Sequence, residues 1–219
     1  MTAIGFIGLG SMGLPMARNL VTGGFEVTGF DLRAEARNAL VEAGGKAADT
    51  AAAACAGADM AVLMVVNIAQ ARDVLFAGGV LDALAPGGAI LLMSTCPPAA
   101  VAEVSAEVEA RGFAFVDAPV SGGVVGATAG SLTIMVGAGE DALARARPAL
   151  DAMGAKVVHV GKDAGQGATA KVVNQLLCGA PLAVAAEALS LAERLGVDTT
   201  AMLDILRGSA AASWMLRDP

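Results

Sequence analysis

The 219-residue sequence predicts a doubly wound α/β domain with a mostly parallel sheet, followed by an all-helical C-terminal domain. Short apolar runs alternate with helical patterns along most of the chain, which is typical of parallel strands with helices on both faces. Hydrophobic residues make up 56% of the chain and charged residues 16%, as expected for strands buried on both faces. Beyond the last of these runs only helical patterns remain, and they predict the second domain.

Each apolar run is predicted to form a strand, and each patterned segment a helix. The predicted strands cover residues 3–9, 26–30, 60–66, 89–93, 113–116, 131–136 and 156–160. The predicted helices cover residues 12–22, 34–43, 51–56, 69–76, 99–111, 141–153, 168–195 and about 199–207. Pro181 is expected to kink the long helix, and Gly196 to end it.

The change of pattern predicts a domain boundary near residues 162–165, giving domains of residues 1–163 and 164–219. A helical domain of about 55 residues is small to stand alone. The sequence also ends soon after the aromatic Trp214. We therefore expect the helical domain, which would serve substrate binding and oligomerisation, to be truncated.

Composition excludes several classes of partner. The formal net charge is −7 with no basic run, and aromatic residues are 3%, which argues against nucleic-acid binding. One histidine, His159, excludes a multi-histidine metal site, and the three cysteines have no metal or redox spacing. The longest uncharged stretch, residues 118–139, is too broken by glycines to span a membrane. We expect a reduced, cytoplasmic protein without a bound metal.

A glycine-rich motif follows the first predicted strand and opens the first predicted helix. Gly8 permits a tight turn, Gly10 lets the backbone approach a pyrophosphate, and Gly13 permits close helix–strand packing. The helix N-terminus then supplies N–H donors for the phosphates. The motif therefore predicts a Rossmann-type dinucleotide site, although a glycine turn without a ligand is the alternative. The motif reads Gly8-Leu9-Gly10-Ser11-Met12-Gly13.

Asp31 ends the second predicted strand, where an acidic residue accepts hydrogen bonds from the adenosine ribose hydroxyls. A carboxylate there would repel a 2′-phosphate, so NAD is preferred over NADP. Arg33 lies close enough to accommodate that phosphate, and it keeps NADP as the less favoured cofactor.

Two further stretches carry polar groups in an apolar setting. The loop predicted over residues 117–123 offers backbone N–H groups beside Ser121, which can bind a carboxylate. In the long helix, Lys171, Asn174 and Gln175 lie at i, i+3 and i+4 and share one face. A lysine near a helix N-terminus is favoured as the neutral amine, which suits acid–base catalysis. A surface lysine with its charged end in solvent fits the same pattern.

Taken in order, four motifs resemble the β-hydroxyacid dehydrogenase family, which includes 3-hydroxyisobutyrate dehydrogenase and tartronate semialdehyde reductase. They are residues 8–13, 117–123, 126–130 and 165–174, and the resemblance covers the whole chain. It implies a Rossmann-type domain, an all-helical second domain and NAD(P)-dependent oxidation of short hydroxy acids. Members extend further than this chain and carry a second cofactor-side lysine in that part.

The resemblance also implies roles for individual residues. The catalytic lysine of the family matches Lys171, and its amide partner matches Asn174. The loop that holds the substrate carboxylate matches Ser121, Gly122 and Gly123. The contacts on the nicotinamide side match Val65, Val66, Gln70 and Thr95.

Within the family, three segments resemble the L-threonate dehydrogenase branch, which implies oxidation of the C2 hydroxyl of a four-carbon sugar acid. They are residues 65–67, 171–177 and 213–215. A 3-hydroxyisobutyrate or tartronate semialdehyde enzyme is the alternative. A non-catalytic dinucleotide-binding module is a third possibility, but it would not need the polar face at Lys171. The apolar helix over residues 176–195 predicts a homodimer or homotetramer, because a helix apolar on most faces must be covered.

Overall fold

The structure is a computed structural model that describes residues 1–217. These residues divide into two compact units, one from Met1 to Lys171 and the other from Val172 onward. The strands are β1 (Ala3–Ile7), β2 (Glu26–Phe30), β3 (Lys46–Ala47), β4 (Met60–Leu63), β5 (Ala89–Leu92), β6 (Ala114–Asp117), β7 (Val120–Ser121), β8 (Thr133–Gly137) and β9 (Lys156–Gly161). The helices are α1 (Gly13–Thr22), α2 (Ala34–Glu42), α3 (Ala51–Ala54), α4 (Ile68–Leu75), α5 (Val80–Ala83), α6 (Pro98–Glu109), α7 (Gly123–Thr128), α8 (Glu140–Met153), α9 (Gln166–Arg194), α10 (Thr199–Gly208) and α11 (Trp214–Arg217).

The first unit is built on one sheet with the strand order β3-β2-β1-β4-β5-β6-β8-β7, and β9 pairs with β8. In this sheet order, the six strands β3, β2, β1, β4, β5 and β6 pair in parallel. Strand β8 runs antiparallel to β6 and β7, and β9 is parallel to β8. The doubly wound, mostly parallel sheet followed by helices is therefore confirmed.

The sheet is buried on both faces, and successive side chains of β1 show how. Ile4 and Phe6 belong to one apolar cluster, together with α1 and α8. Ile7 belongs to a second cluster with residues of α3, α4 and α6. Alternate residues of a strand point to opposite faces, so a strand between two helical layers must be apolar throughout. That is why the strands were recognisable as continuous apolar runs.

Some predicted boundaries were wrong by a few residues, because residues 8–9 and 64–66 continue from β1 and β4 as loops. The short elements β3, β7, α5, α7 and α11 were missed. The predicted loop over residues 117–123 contains β7, in which Val120 pairs with Ile134. It then runs into α7, a glycine-rich helix of low intrinsic propensity. Tertiary contacts hold α7: Gly126 and Ala127 are buried, and Asn19 Nδ2 donates a 2.7 Å hydrogen bond to the Ala127 carbonyl.

The long helix α9 begins two residues before the predicted start and continues through Pro181 to Arg194. By length and composition alone it could cross a membrane, and only 6% of its most apolar window is buried. One such helix is weak evidence, since a helix covered by other protein has the same composition. Several large apolar side chains on it are exposed, including Val173, Leu176, Leu177 and Val184.

His159 and Cys96 have structural surroundings. His159 Nε2 lies 2.8 Å from the Ala138 carbonyl oxygen, within hydrogen-bond distance. Cys96 is buried, and burial, with the nearby charge of Asp117, raises the pKa of its thiol to about 11. A thiol of that kind stays protonated and acts as a small apolar group.

Candidate active site

The predicted cofactor and substrate residues follow the carboxyl ends of strands that run in one direction. β1, β2, β4, β5 and β6 pair in parallel, so their carboxyl ends lie at a single edge of the sheet. Ligands of open α/β sheets bind at this edge. The residues found there are Gly8 to Gly13 after β1, Asp31 after β2, Val65 and Val66 after β4, and Thr95 after β5. Ser121 to Gly123 follow β6 through the short strand β7.

The three motif glycines occupy positions with different steric demands. Gly8 has φ +94°, and a Cβ atom there would overlap the Met64 carbonyl oxygen. A Cβ atom at Gly13 would overlap the Gly8 carbonyl oxygen, so the start of α1 packs directly on the loop. A Cβ atom at Gly10 would meet nothing within 4 Å. Gly8 and Gly13 are required by the packing of the protein itself, whereas Gly10 keeps open space in front of the loop.

The same loop presents backbone donors to that space. Within residues 1–217, the N–H groups of Gly10, Ser11 and Met12 have no protein acceptor. Such groups at the start of a helix, together with the helix dipole, bind phosphate. Open space at Gly10 and these donors fit the pyrophosphate of a dinucleotide, and the role of residues 8–13 in holding it stays a prediction.

Asp31 lies at the tip of β2 and is engaged on both carboxylate oxygens. Its Oδ2 accepts a 2.8 Å hydrogen bond from the Leu9 N–H. Its Oδ1 accepts hydrogen bonds from the Arg33 backbone N–H at 2.9 Å and from Arg33 Nε at 3.1 Å. Burial raises the pKa of Asp31, but these hydrogen bonds and the Arg33 charge outweigh it, and the pKa lies below its ordinary value. Asp31 is thus ionised at neutral pH, as a reader of ribose hydroxyls must be. Arg33 is held against it and also donates to the Leu9 carbonyl at 3.1 Å.

The loop after β4 is held by side chains on three sides. Ser94 Oγ donates to the Val65 carbonyl at 2.7 Å, and the Val66 N–H donates to Gln70 Oε1 at 3.0 Å. The Gln70 N–H in turn donates to Asn67 Oδ1 at 2.9 Å, which caps α4. Ser94 was missed by the sequence analysis, and only its buried position identifies it. The Val66 side chain is exposed, and Thr95 is exposed too.

The predicted substrate loop ends in two glycines with left-handed backbone. Gly122 has φ +133° and Gly123 has φ +60°, so both positions favour glycine. Within residues 1–217, their N–H groups have no protein acceptor, and the neighbouring Ser121 is half-buried. These donors are the groups that a substrate carboxylate requires, and their role as its binding loop stays a prediction.

Lys171 lies on α9 and is only 7% exposed. It is the one buried lysine or arginine among residues 1–217, so the alternative of a surface lysine fails for this position. Lysine is almost never buried without a partner or a function. Asn174 follows three residues later on the same helix, where its Oδ1 accepts from Cys178 Sγ at 3.9 Å.

The start of α9 rests on Asp117, which the sequence analysis did not single out. Asp117 is 1% exposed, and its Oδ2 accepts from the Gly165 N–H at 2.9 Å and the Ala168 N–H at 2.8 Å. Burial raises the pKa of Asp117, and the N–H donors oppose that rise without cancelling it. The contacts join positions 48 and 51 residues apart, so no local sequence signal could have revealed them.

The sheet order, the glycine loop and Asp31 define an NAD(P)-binding oxidoreductase domain of Rossmann type. A family model described as the NAD binding domain of 6-phosphogluconate dehydrogenase matches residues 3–161. A second, described as the NAD-binding region of NADP-dependent 3-hydroxyisobutyrate dehydrogenase, matches residues 165–219. The chain belongs to the β-hydroxyacid dehydrogenase family, as its motifs predicted, and is an NAD-dependent hydroxyacid dehydrogenase by class.

Individual relatives agree with this family. An NAD-dependent L-serine dehydrogenase of Pseudomonas aeruginosa is 41% identical over 99% of this chain and 72% of its own length. An L-threonate dehydrogenase of Escherichia coli is 38% identical over 98% of this chain and 72% of its own. A crystal structure of 3-hydroxyisobutyrate dehydrogenase from Salmonella typhimurium superposes with a TM-score of 0.94 at 38% identity. It is matched over 100% of this chain and 76% of its own.

We expect Asp31→Ala to weaken NAD binding about 10- to 100-fold. This is the loss expected because a hydrogen bond to a charged group contributes about 1.5–3 kcal/mol. NADP should be weakened less, because the substitution also releases Arg33 from Asp31 and removes a repulsive charge. Titration calorimetry with both cofactors measures the two dissociation constants.

The matched control is Asp59→Ala. Asp59 also accepts a backbone N–H, from Ala3 at 2.9 Å, but at the amino end of β1. Its removal should change neither dissociation constant. Equal losses of NAD and NADP on Asp31→Ala would show that Asp31 does not select between them.

Proposed function

We propose that the chain oxidises a short hydroxy acid with Lys171 as the acid–base group and L-threonate as the substrate. The observation that carries the proposal is the burial of Lys171 within the unit that holds the glycine loop and Asp31. Lys171 is a buried amine in the second turn of α9, and the neutral form of such an amine can accept a proton. A dinucleotide-binding module without catalysis would not require an acid–base group at this position.

The residues divide the reaction between them. NAD, when bound at residues 8–13 and Asp31, accepts the hydride that leaves the carbinol carbon. Lys171 takes the hydroxyl proton as the carbon–oxygen double bond forms, which is ordinary general-base catalysis. Ser121 and the N–H groups of Gly122 and Gly123 hold the substrate carboxylate. Asn174 orients Lys171 or the substrate.

Three substrates remain in competition, and each has its own support. The segments at residues 65–67 and 171–177 resemble the L-threonate branch, and the 38% identity to an L-threonate dehydrogenase agrees. L-Serine is favoured by the relative at 41% identity. 3-Hydroxyisobutyrate is favoured by the superposed structure. All three substrates carry a carboxylate and a hydroxyl a short distance apart. The loop at Ser121 to Gly123 would bind the carboxylate, and Lys171 would accept the hydroxyl proton.

A panel of hydroxy acids separates these readings. With NAD in excess, the kcat/KM for NADH formation should be highest with L-threonate. It should be at least tenfold lower with L-serine and with 3-hydroxyisobutyrate, a ratio worth about 1.4 kcal/mol. A reversed order would assign the site to one of the other two. NAD binding without turnover on any of them would favour the binding module.

For the catalytic role, Lys171→Ala should lower turnover about 10²–10⁴-fold and leave NAD affinity nearly unchanged, because the cofactor is held elsewhere. Lys171→Arg should be almost as damaging, since a guanidinium cannot give up its proton. Turnover of the wild-type chain should rise with pH as the amine loses its proton. Steady-state kinetics at saturating substrate provide the comparison.

The control is Lys162→Ala, which removes an exposed lysine near the start of α9. It should retain wild-type kcat. If Lys171→Ala kept more than about a tenth of wild-type turnover, well above the range for a lost acid–base group, Lys171 would not be that group.

We also infer that the chain associates as a homodimer or homotetramer. The exposed apolar side chains of α9, including Leu176, Leu177 and Leu191, support this, because surface of that kind marks an interface. Light scattering at micromolar concentration should give a mass of two or four chains. The mass of a single chain would refute the inference.

A further inference from the structure

We propose that Asp117 is a positioning residue for catalysis: its carboxylate holds the first turn of α9 and thereby fixes where Lys171 lies. The proposal rests on the proposed function, since it assigns Asp117 a role through Lys171. Asp117 and Lys171 belong to the same compact unit, and both are buried.

The hydrogen bonds of Asp117 meet a need of the helix itself. The first N–H groups of an α-helix have no partner inside the helix. Asp117 Oδ2 accepts two N–H groups at this start, from Gly165 and Ala168. A carboxylate there also offsets the positive end of the helix dipole. Lys171 follows Ala168 by three residues, so it lies about one turn from the anchored end.

The helix start is also packed too closely to move freely. A Cβ atom on Gly165 would lie 2.8 Å from the Pro98 carbonyl oxygen. One on Gly167 would lie 2.6 Å from the Met135 carbonyl oxygen and 2.8 Å from that of Asp117. Gly167 therefore lets the helix backbone approach β8 and the end of β6, close enough for the carboxylate to reach the N–H groups, while Gly165 lets it approach the start of α6.

The substrate loop is held by other bonds, although it also starts at Asp117. The Ala118 N–H donates to the Leu92 carbonyl at 2.8 Å, and the Met135 N–H donates to the Pro119 carbonyl at 3.0 Å. Both bonds are between backbone groups. Replacing the Asp117 side chain should therefore disturb the helix that carries Lys171 and leave the loop and the cofactor site in place. This separates an effect on kcat from an effect on KM.

The test compares Asp117→Ala and Asp117→Asn with the wild-type chain. Asp117→Ala removes both hydrogen bonds and should lower kcat about 100-fold, as expected when a reacting group is misplaced by about 1 Å. Asp117→Asn keeps an oxygen acceptor, so its kcat should be about tenfold higher than that of Asp117→Ala. The KM for the hydroxy acid and the Kd for NAD should stay within about twofold of wild type.

Asp198→Ala is the matched control. Asp198 caps α10 in the same way, with its Oδ1 accepting from the Ala201 N–H at 2.8 Å, but no reacting group has been assigned to that helix. Its loss should lower stability while kcat per folded chain is kept. If Asp117 acts only on stability, the Asp117 variants will behave like Asp198→Ala in this comparison.

Hydrogen–deuterium exchange supplies a readout that needs no turnover. Exchange over residues 165–171 should be faster in Asp117→Ala than in wild type and intermediate in Asp117→Asn. Wild-type kcat in Asp117→Ala, or unchanged exchange over that segment, would overturn the proposal. Should Asp117→Ala fail to fold, the same two measurements on Asp117→Asn decide. A wild-type chain inactive on the whole panel would refute the proposed function, and the role of Asp117 in turnover with it.

Discussion

The parallel pairing of five neighbouring strands is the constraint on which the site depends. Because β1, β2, β4, β5 and β6 run in one direction, the loops that follow them share one edge of the sheet. The glycine loop, Asp31 and the loop after β6 are distant in sequence and are gathered there by pairing alone. Pairing in turn requires strands that are apolar on both faces, which accounts for the hydrophobic composition.

A second constraint links this edge to the helix that carries Lys171. Asp117 is the last residue of β6, and its carboxylate accepts the first N–H groups of α9. Gly167 makes the contact possible, because no side chain separates the helix backbone there from the carbonyl oxygens of Met135 and Asp117. The glycines of the Gly-x-Gly-x-x-x-Lys run thus serve close packing, as Gly13 does in α1. In both places a glycine-rich turn brings a helix N-terminus against the sheet. The N–H groups at the second helix start meet a carboxylate of the chain, whereas those at the first are predicted to meet a cofactor phosphate.

Local signals explain what the sequence predicted and what it did not. The Gly8–Gly13 motif and Asp31 could be singled out because the glycine spacing and an acidic residue at the end of the second strand form a recognisable sequence pattern. The helix α7 was missed because its glycines argue against a helix, and the packing of Ala127 and the Asn19 hydrogen bond that hold it come from α1. Asp117 was read only as part of a loop, because its partners lie about 50 residues later. For Lys171 the pattern allowed a surface or a buried side chain, and burial is a property of the folded unit that spacing does not contain.

We propose that the cofactor and Lys171 act together at the carboxyl edge of the sheet. A crystal structure of the chain with NAD and L-threonate tests it most directly. The account predicts the pyrophosphate against the N–H groups of Gly10, Ser11 and Met12, and the Lys171 amine about 2.6–3.2 Å from the hydroxyl to be oxidised, the reach of a general base. A complex in which the pyrophosphate occupies that loop while the substrate hydroxyl lies beyond the reach of Lys171 would show that Lys171 is not the general base.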